Sequence, residues 1–215
     1  IHLSNLLVAF KYKTMKKKNI IILTLIGLSA IVFSALAELS KKDREVAINY
    51  LQDTKQTLIN TVTNLNKDQM EFKVNESTWS IAECVEHLAL SEKLIFQWSQ
   101  DALKHSAEKG AIAFQDDQLI EIFTDRSQKS KTLDVLEPKS TFNTVQDALN
   151  NFNKLRNEHI NYVKSTSDPL RTCYFDFPFG KGDAYQVILL LAAHTERHTA
   201  QIREIMSRPG FPTSN

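Results

Sequence analysis

Near the C-terminus, apolar residues recur at helical spacing (Val187, Leu191, Ile202, Ile205), and His194 and His198 fall in the same stripe, where another Leu or Ile is expected. This stretch therefore forms a helix that turns two imidazoles toward a core. Residues four apart sit one turn above each other, so both rings can reach one ion, and borderline divalent metals favour such neutral nitrogen donors. The alternative is a pair of core histidines, each satisfied by a carbonyl or a carboxylate. A zinc-protease reading is excluded. It needs His-Glu-x-x-His, whereas Glu196 lies two residues past His194, about 200° around the helix.

The other end of the chain is of a different kind. Met15 opens a run of three lysines (Lys16, Lys17, Lys18), an almost wholly apolar stretch from Ile20 to Phe33, and then Ala35-Leu36-Ala37. A basic segment, a short apolar segment and an A-x-A site predict a secretory signal over residues 15–37, cleaved before Glu38, with residues 1–14 an over-extended start. The domain is then exported, periplasmic or secreted, with no stable membrane insertion after cleavage. The alternative is an uncleaved N-terminal anchor, since Asn19 to Ala37 is nearly long enough to span a bilayer.

Without the leader, 178 of the 215 residues remain, residues 38–215, enough for one domain with a single core. They carry 21 basic and 25 acidic side chains, a formal charge of −4. A nucleic-acid partner is excluded on that ground, because such a partner needs a basic face. Cys84 and Cys173 are the two cysteines; export permits a bridge between them but their spacing does not decide it.

Periodicity predicts three more long helices. The first spans Lys41 to about Asn64, with Val46, Ile48, Leu51, Leu58, Ile59 and Val62 on its apolar side. The second begins at a capping box, Ser80 with Glu83, and runs to Leu103 or His105, bringing Cys84, His87, Ser91, Leu94 and Trp98 into line. Glu83, one turn before His87, either completes the box or acts on the ring as an orienting group or base. A long connection holds a short helix from Asp116 to about Arg126 and a Lys-rich turn before Pro138; a crossover of this length lets neighbouring helices run parallel.

The third long helix, Thr144 to Ser165, carries Val145, Leu149, Phe152, Leu155, His159 and Val163 on one stripe, making His159 a reserve ligand or a core histidine. Asp168 to Asp183 holds two prolines and two glycines and is not helical; its aromatics either wall a pocket mouth above the histidines or cover the core end. Asp183 caps the final helix, which stops near Arg208. The fold class is all-α: a four-helix bundle with a long crossover between its second and third helices.

Three sequence words occur in this order: Trp79-Ser80-x-x-Glu83-x-x-Glu86-His87-Leu88, then Asp125-Arg126 followed by Pro138, then His194-x-x-Arg197-His198-x-x-Gln201-Ile202. Together they resemble the DinB-like family of metal-binding four-helix bundles, over roughly Leu39 to Met206. The resemblance implies that His87, His194 and His198 ligate one divalent ion, zinc or nickel foremost and otherwise manganese or iron, with a position left for water or substrate. It also implies a hydrolase or a thiol transferase acting on a small molecule. Where many relatives carry His-Pro before the last helix, this chain has Phe177-Pro178.

Two functions follow as expectations. One is a metal enzyme for which Glu83 and Glu86 are the candidate catalytic acid/base groups, with His159 behind them. The other is a non-catalytic bundle that holds a metal or small ligand. A homodimer through the first helix or the crossover is compatible with either. A closed shell completed by His159 or Glu83 favours binding; an open position favours catalysis.

Overall fold

The computed structural model describes residues 39–106, 110–127 and 131–213; the leader expected over residues 15–37 lies outside them. Each long helix starts at a side-chain cap. Helix α1 (Lys41–Val62) is capped by Ser40, whose hydroxyl accepts the Asp43 N–H at 3.0 Å. After a short helix α2 (Lys67–Glu71), α3 (Ile81–Lys104) opens with Ser80 and Glu83 exchanging hydrogen bonds, the expected capping box. Helix α4 (Asp116–Thr124) and a 3-10 turn (Asp134–Leu136) interrupt the crossover before α5 (Val145–Ser165), which Thr144 caps. Strands β1 (Tyr174–Phe177) and β2 (Gly180–Asp183) then lead into α6 (Ala184–Met206), capped by Asp183. Such caps satisfy amides that a helix leaves unpaired, at about 1 kcal/mol each.

Two apolar clusters fix the direction of the four long helices. One joins Ala47 and Leu51 early in α1 to Ile95 and Ala102 late in α3, Ile160 and Val163 late in α5, and Ala184 to Ala192 early in α6. The other joins Leu58 and Val62 late in α1 to Ile81 through Ala89 in α3, Ala148 and Phe152 in α5, and Ile202 and Ile205 in α6. So α1 and α6 run one way, α3 and α5 the other. The neighbours α3 and α5 are parallel, and the crossover carries the chain back along the bundle between them.

Helix α6 is the central element. It packs on α1, α3 and α4, and every residue from Ala184 to Ala193 is buried. A helix apolar on all sides is one that is covered on all sides. On α1 the buried stripe is Ala47, Leu51, Thr54, Leu58 and Val62, while Val46, expected inside, is 45% exposed. The stripe runs through a threonine because its hydroxyl meets Arg156. Among the described residues no helix is long and apolar enough to cross a membrane.

Between the two clusters lies a buried polar layer. Arg156 of α5 is fully buried and forks onto Glu92 of α3 at 2.7 and 2.8 Å. Its remaining protons go to the Leu51 carbonyl and Thr54 of α1, and to the Leu191 carbonyl and Thr195 of α6. One guanidinium thus ties all four long helices together at one level.

The prolines and glycines between α5 and α6 form an antiparallel hairpin, with Phe177 paired to Gly180 across the turn Pro178-Phe179. Gly180 has φ +142°, and a Cβ there would meet the Ala113 Cβ at 2.5 Å, because the crossover lies against this hairpin through the Ala113 N–H to Lys181 carbonyl bond. Gly180→Ala is expected to destabilise the domain by roughly 1–3 kcal/mol, read as a lower urea midpoint; an unchanged midpoint would mean that the hairpin is free to move away.

Candidate metal centre

His87 stands two turns into α3, and His194 and His198 stand on the face of α6 that packs against it. The three rings form a triangle with centroids 4.6, 4.6 and 5.0 Å apart, and one nitrogen of each lies within 4.8 Å of the others. This is the donor set that the DinB-like resemblance implies, and it contains the pair His194 and His198 that helical spacing brings together. No fourth His, Cys, Asp or Glu belongs to the group among the described residues.

Hydrogen bonds decide which nitrogens are available. The Leu136 carbonyl lies 2.8 Å from Nδ1 of His87; a carbonyl only accepts, so the proton is on Nδ1 and the lone pair on Nε2. That Nε2 is 3.2 Å from Nε2 of His194 and 3.4 Å from the Ser91 hydroxyl. Nitrogens bound to one tetrahedral zinc at about 2.0–2.1 Å are separated by about 3.3 Å. His198 has its own Nδ1 2.9 Å from Oε1 of Gln201, which leaves its Nε2 as the unclaimed nitrogen.

Burial sets the charge state of the cluster. His87 and His198 are buried, and His194 is the one residue of the three that is partly exposed. Desolvation lowers the pKa of His87, against a smaller opposing effect of the Leu136 hydrogen bond. Desolvation, and then repulsion from neighbouring rings, holds His194 and His198 well below 6.5. All three are neutral at pH 7, the form a metal needs. The half-buried indole of Trp79 covers the cluster, 4.8 Å from the His87 ring and 6.1 Å from that of His198.

The other sequence-derived candidates lie elsewhere. Glu83 accepts the Ser80 N–H at 2.7 Å and pairs with Lys73 at 2.6 Å. One oxygen of Glu86 accepts the N–H groups of Lys139 and Thr141, which converge because Ser140 between them has φ +59°. His159 is hydrogen-bonded to Glu92 at 2.9 Å and stacked on Phe96, apart from the triangle. Cys84 is buried, its thiol pushed up to about 12 by desolvation, and neither it nor Cys173 is in a disulfide. His105 ends α3 as its C-cap.

The hairpin aromatics cover the core end. Phe175, Phe177 and Phe179 contact one another, Trp98, Phe114 and Phe123, at the start of α6. His194 is ten residues further on, about 15 Å along the helix.

Arg156 was hidden from sequence reasoning by its own charge. It occupies the buried stripe Phe152, Arg156, His159, Val163 at steps of four, three and four, beside Leu155, which is only partly buried. A charged residue in register with core positions is the signal that marks it.

The sequence profile of the DinB superfamily matches residues 50–202. No curated protein matches the chain. Among solved structures it is similar to YfiT from Bacillus subtilis, reported as "a probable metal-dependent hydrolase with an unusual four-helix bundle topology". The TM-score is 0.54 at 18% identity, over 81% of this chain and 91% of that one, a likeness of fold.

Proposed function

Because the chain belongs to the DinB superfamily, we propose that it is a metal-dependent hydrolase or transferase acting on a small molecule, with His87, His194 and His198 holding one divalent ion. Zinc or nickel suits three neutral imidazoles best; manganese and iron are the next choices. The observation that carries this reading is the triangle itself, one nitrogen from each of three imidazoles within 4.8 Å of the others, with the Nε2 lone pair of His87 facing inward because its proton lies toward Leu136. In the metal-free protein the His194 N–H donates to that lone pair across 3.2 Å, an ion would take the place of this proton, and the ring of His198 closes the triangle.

A divalent ion in such a three-nitrogen site supplies Lewis acidity and lowers the pKa of a water to about 7. The chain's own part is to keep the three rings neutral and to fix which nitrogen His87 and His198 present; a substrate would approach past His194, the one partly exposed residue of the three. Trp79 packs on the rings of His87 and His198. Glu83 and Glu86 hold the start of α3 and the end of the crossover, and each would act as an acid or base only after releasing its present partners. A secretory leader over residues 15–37, as the sequence pattern predicts, would place this chemistry outside the cytoplasm and so favour hydrolysis over transfer of a cytoplasmic thiol.

Metal content by mass spectrometry tests the site, on protein purified without an affinity tag or chelator, beside His87→Ala and His194→Ala. About one equivalent of ion in the parent, lost in both variants, is expected. No stoichiometric ion after zinc, nickel and manganese have been offered would overturn the metal reading. Binding without turnover on small esters, amides and thiol acceptors would instead identify a non-catalytic metal-binding bundle.

A further inference from the structure

We propose that Gln201 is a positioning residue of this centre: its side-chain oxygen, oriented by Arg126, fixes the proton of His198 on Nδ1 and so presents Nε2 to the ion. The inference rests on the three-histidine reading of the site. It starts from a contact that identifies the amide's two ends. Arg126 Nη1 lies 3.4 Å from the Gln201 atom that also lies 2.9 Å from Nδ1 of His198. A guanidinium only donates, so that atom is the oxygen; an oxygen only accepts, so Nδ1 of His198 is the donor. With the amide reversed, its NH2 group would face the protons of Arg126.

Arg126 is itself held in place. Its Nε and Nη2 fork onto Glu204 at 2.7 and 2.8 Å, one turn beyond Gln201 on α6. The segment that carries it is tied to the same helix by Arg197, whose Nη1 donates to the carbonyls of Phe123 and Asp125. The crossover thus reaches the centre twice, through the Leu136 carbonyl on His87 and through Arg126 and Gln201 on His198. Both acceptors are neutral oxygens. They orient the rings without adding the negative charge that a carboxylate would pass to the ligand, so the ion keeps more of its Lewis acidity.

The test is zinc affinity of the full chain, measured by competition with a chromogenic chelator, for the parent, Gln201→Leu and Gln201→Glu, beside the thermal midpoint of each metal-free protein. Gln201→Leu removes the oxygen but keeps the bulk, and is expected to bind zinc ~10–100-fold more weakly, with a metal-free midpoint lowered only by the loss of the His198 hydrogen bond. Gln201→Glu restores the acceptor and is expected to bind at least as tightly as the parent. A second readout is the 15N spectrum of the metal-free histidine rings, in which His198 is a single Nδ1–H tautomer in the parent and a mixture in Gln201→Leu.

Parent-like zinc affinity in Gln201→Leu would overturn the inference and leave the three-histidine site standing. So would equal weakening in both variants, which would make amide shape the determinant. A parent that binds none of zinc, nickel and manganese would overturn the site and this inference together.

Discussion

Glu92→Ala is expected to destabilise the metal-free protein by roughly 3–5 kcal/mol, since it leaves a buried charge without its counter-ion. Arg156 is fully buried and Glu92 is 2% exposed, so no water replaces the lost carboxylate. The remaining acceptors, the Leu51 and Leu191 carbonyls and two threonine hydroxyls, can bond the guanidinium but cannot neutralise it. His159 loses its Nδ1 partner at the same time. For a domain of this size each kcal/mol moves the thermal midpoint by about 2–4 °C, so a fall of roughly 6–20 °C is expected.

The double variant Glu92→Leu/Arg156→Met is expected to recover most of that loss, because it removes the desolvation penalty along with the pair. Thermal melts of the single and double variants check both statements. A single variant within about 1 kcal/mol of the parent would mean that solvent reaches Arg156.

This layer also bears on the metal centre. Arg156 holds the Leu191 carbonyl and the Thr195 hydroxyl, on either side of His194, against the Glu92 that follows His87 on α3 by just over one turn. A hydrophobic layer of equal volume would pack as well but would not fix the axial register of α6 on α3. The double variant is therefore expected to be stable and to bind metal more weakly than the parent. Undiminished metal binding in it would show that the ion pair plays no part in the register.

The second large effect is on acid stability. In the metal-free protein the three ring pKa values are depressed, so between 6.5 and those lower values the unfolded chain binds protons that the folded one refuses. Stability then rises with pH, by up to about 1.4 kcal/mol per pH unit for each such ring. It is present in full above about pH 6.5 and is lost as the pH falls through 6 toward 5. Glu92, whose pKa is lowered despite its burial because Arg156 faces it, adds its own loss only below the ordinary carboxylate range.

Urea midpoints in chelator between pH 7.5 and 5 should therefore fall steeply, and less steeply in His194→Ala. Bound metal should raise stability most at neutral pH and be displaced by protons in the same window. A flat profile would contradict the burial of neutral rings.

Much of the fold was legible in the sequence because helix signals are local. Ser80 with Glu83, and Asp183 ahead of an apolar run, mark helix starts by hydrogen bonds that span only three residues. The stripes of α3 and α6 state which faces are buried and place His87, His194 and His198 on them, in agreement with the ligand set that the family resemblance implies. Local signals end there. Val46 and Ala47 fit the α1 pattern about equally well, and the position of Arg156 decides which of them faces inward. The short helix α2 and the β-hairpin depend on packing against distant segments, Pro212 on Gln69 and Ala113 on Lys181, which a linear pattern does not contain.

By itself, then, the sequence determined the four long helices, most of their buried faces and the crossover, since each follows from periodicity or from side chains a few residues apart, while the choice of His87, His194 and His198 came from the family resemblance. The tertiary structure alone decided that the triangle takes no fourth ligand from His159, Cys84 or Glu83, that the aromatic loop covers the core end, and that Leu136 and Gln201 choose the ring nitrogens. These depend on hydrogen bonds and packing between segments far apart in the chain, whose partners exist only once four helices have been brought together around one buried arginine.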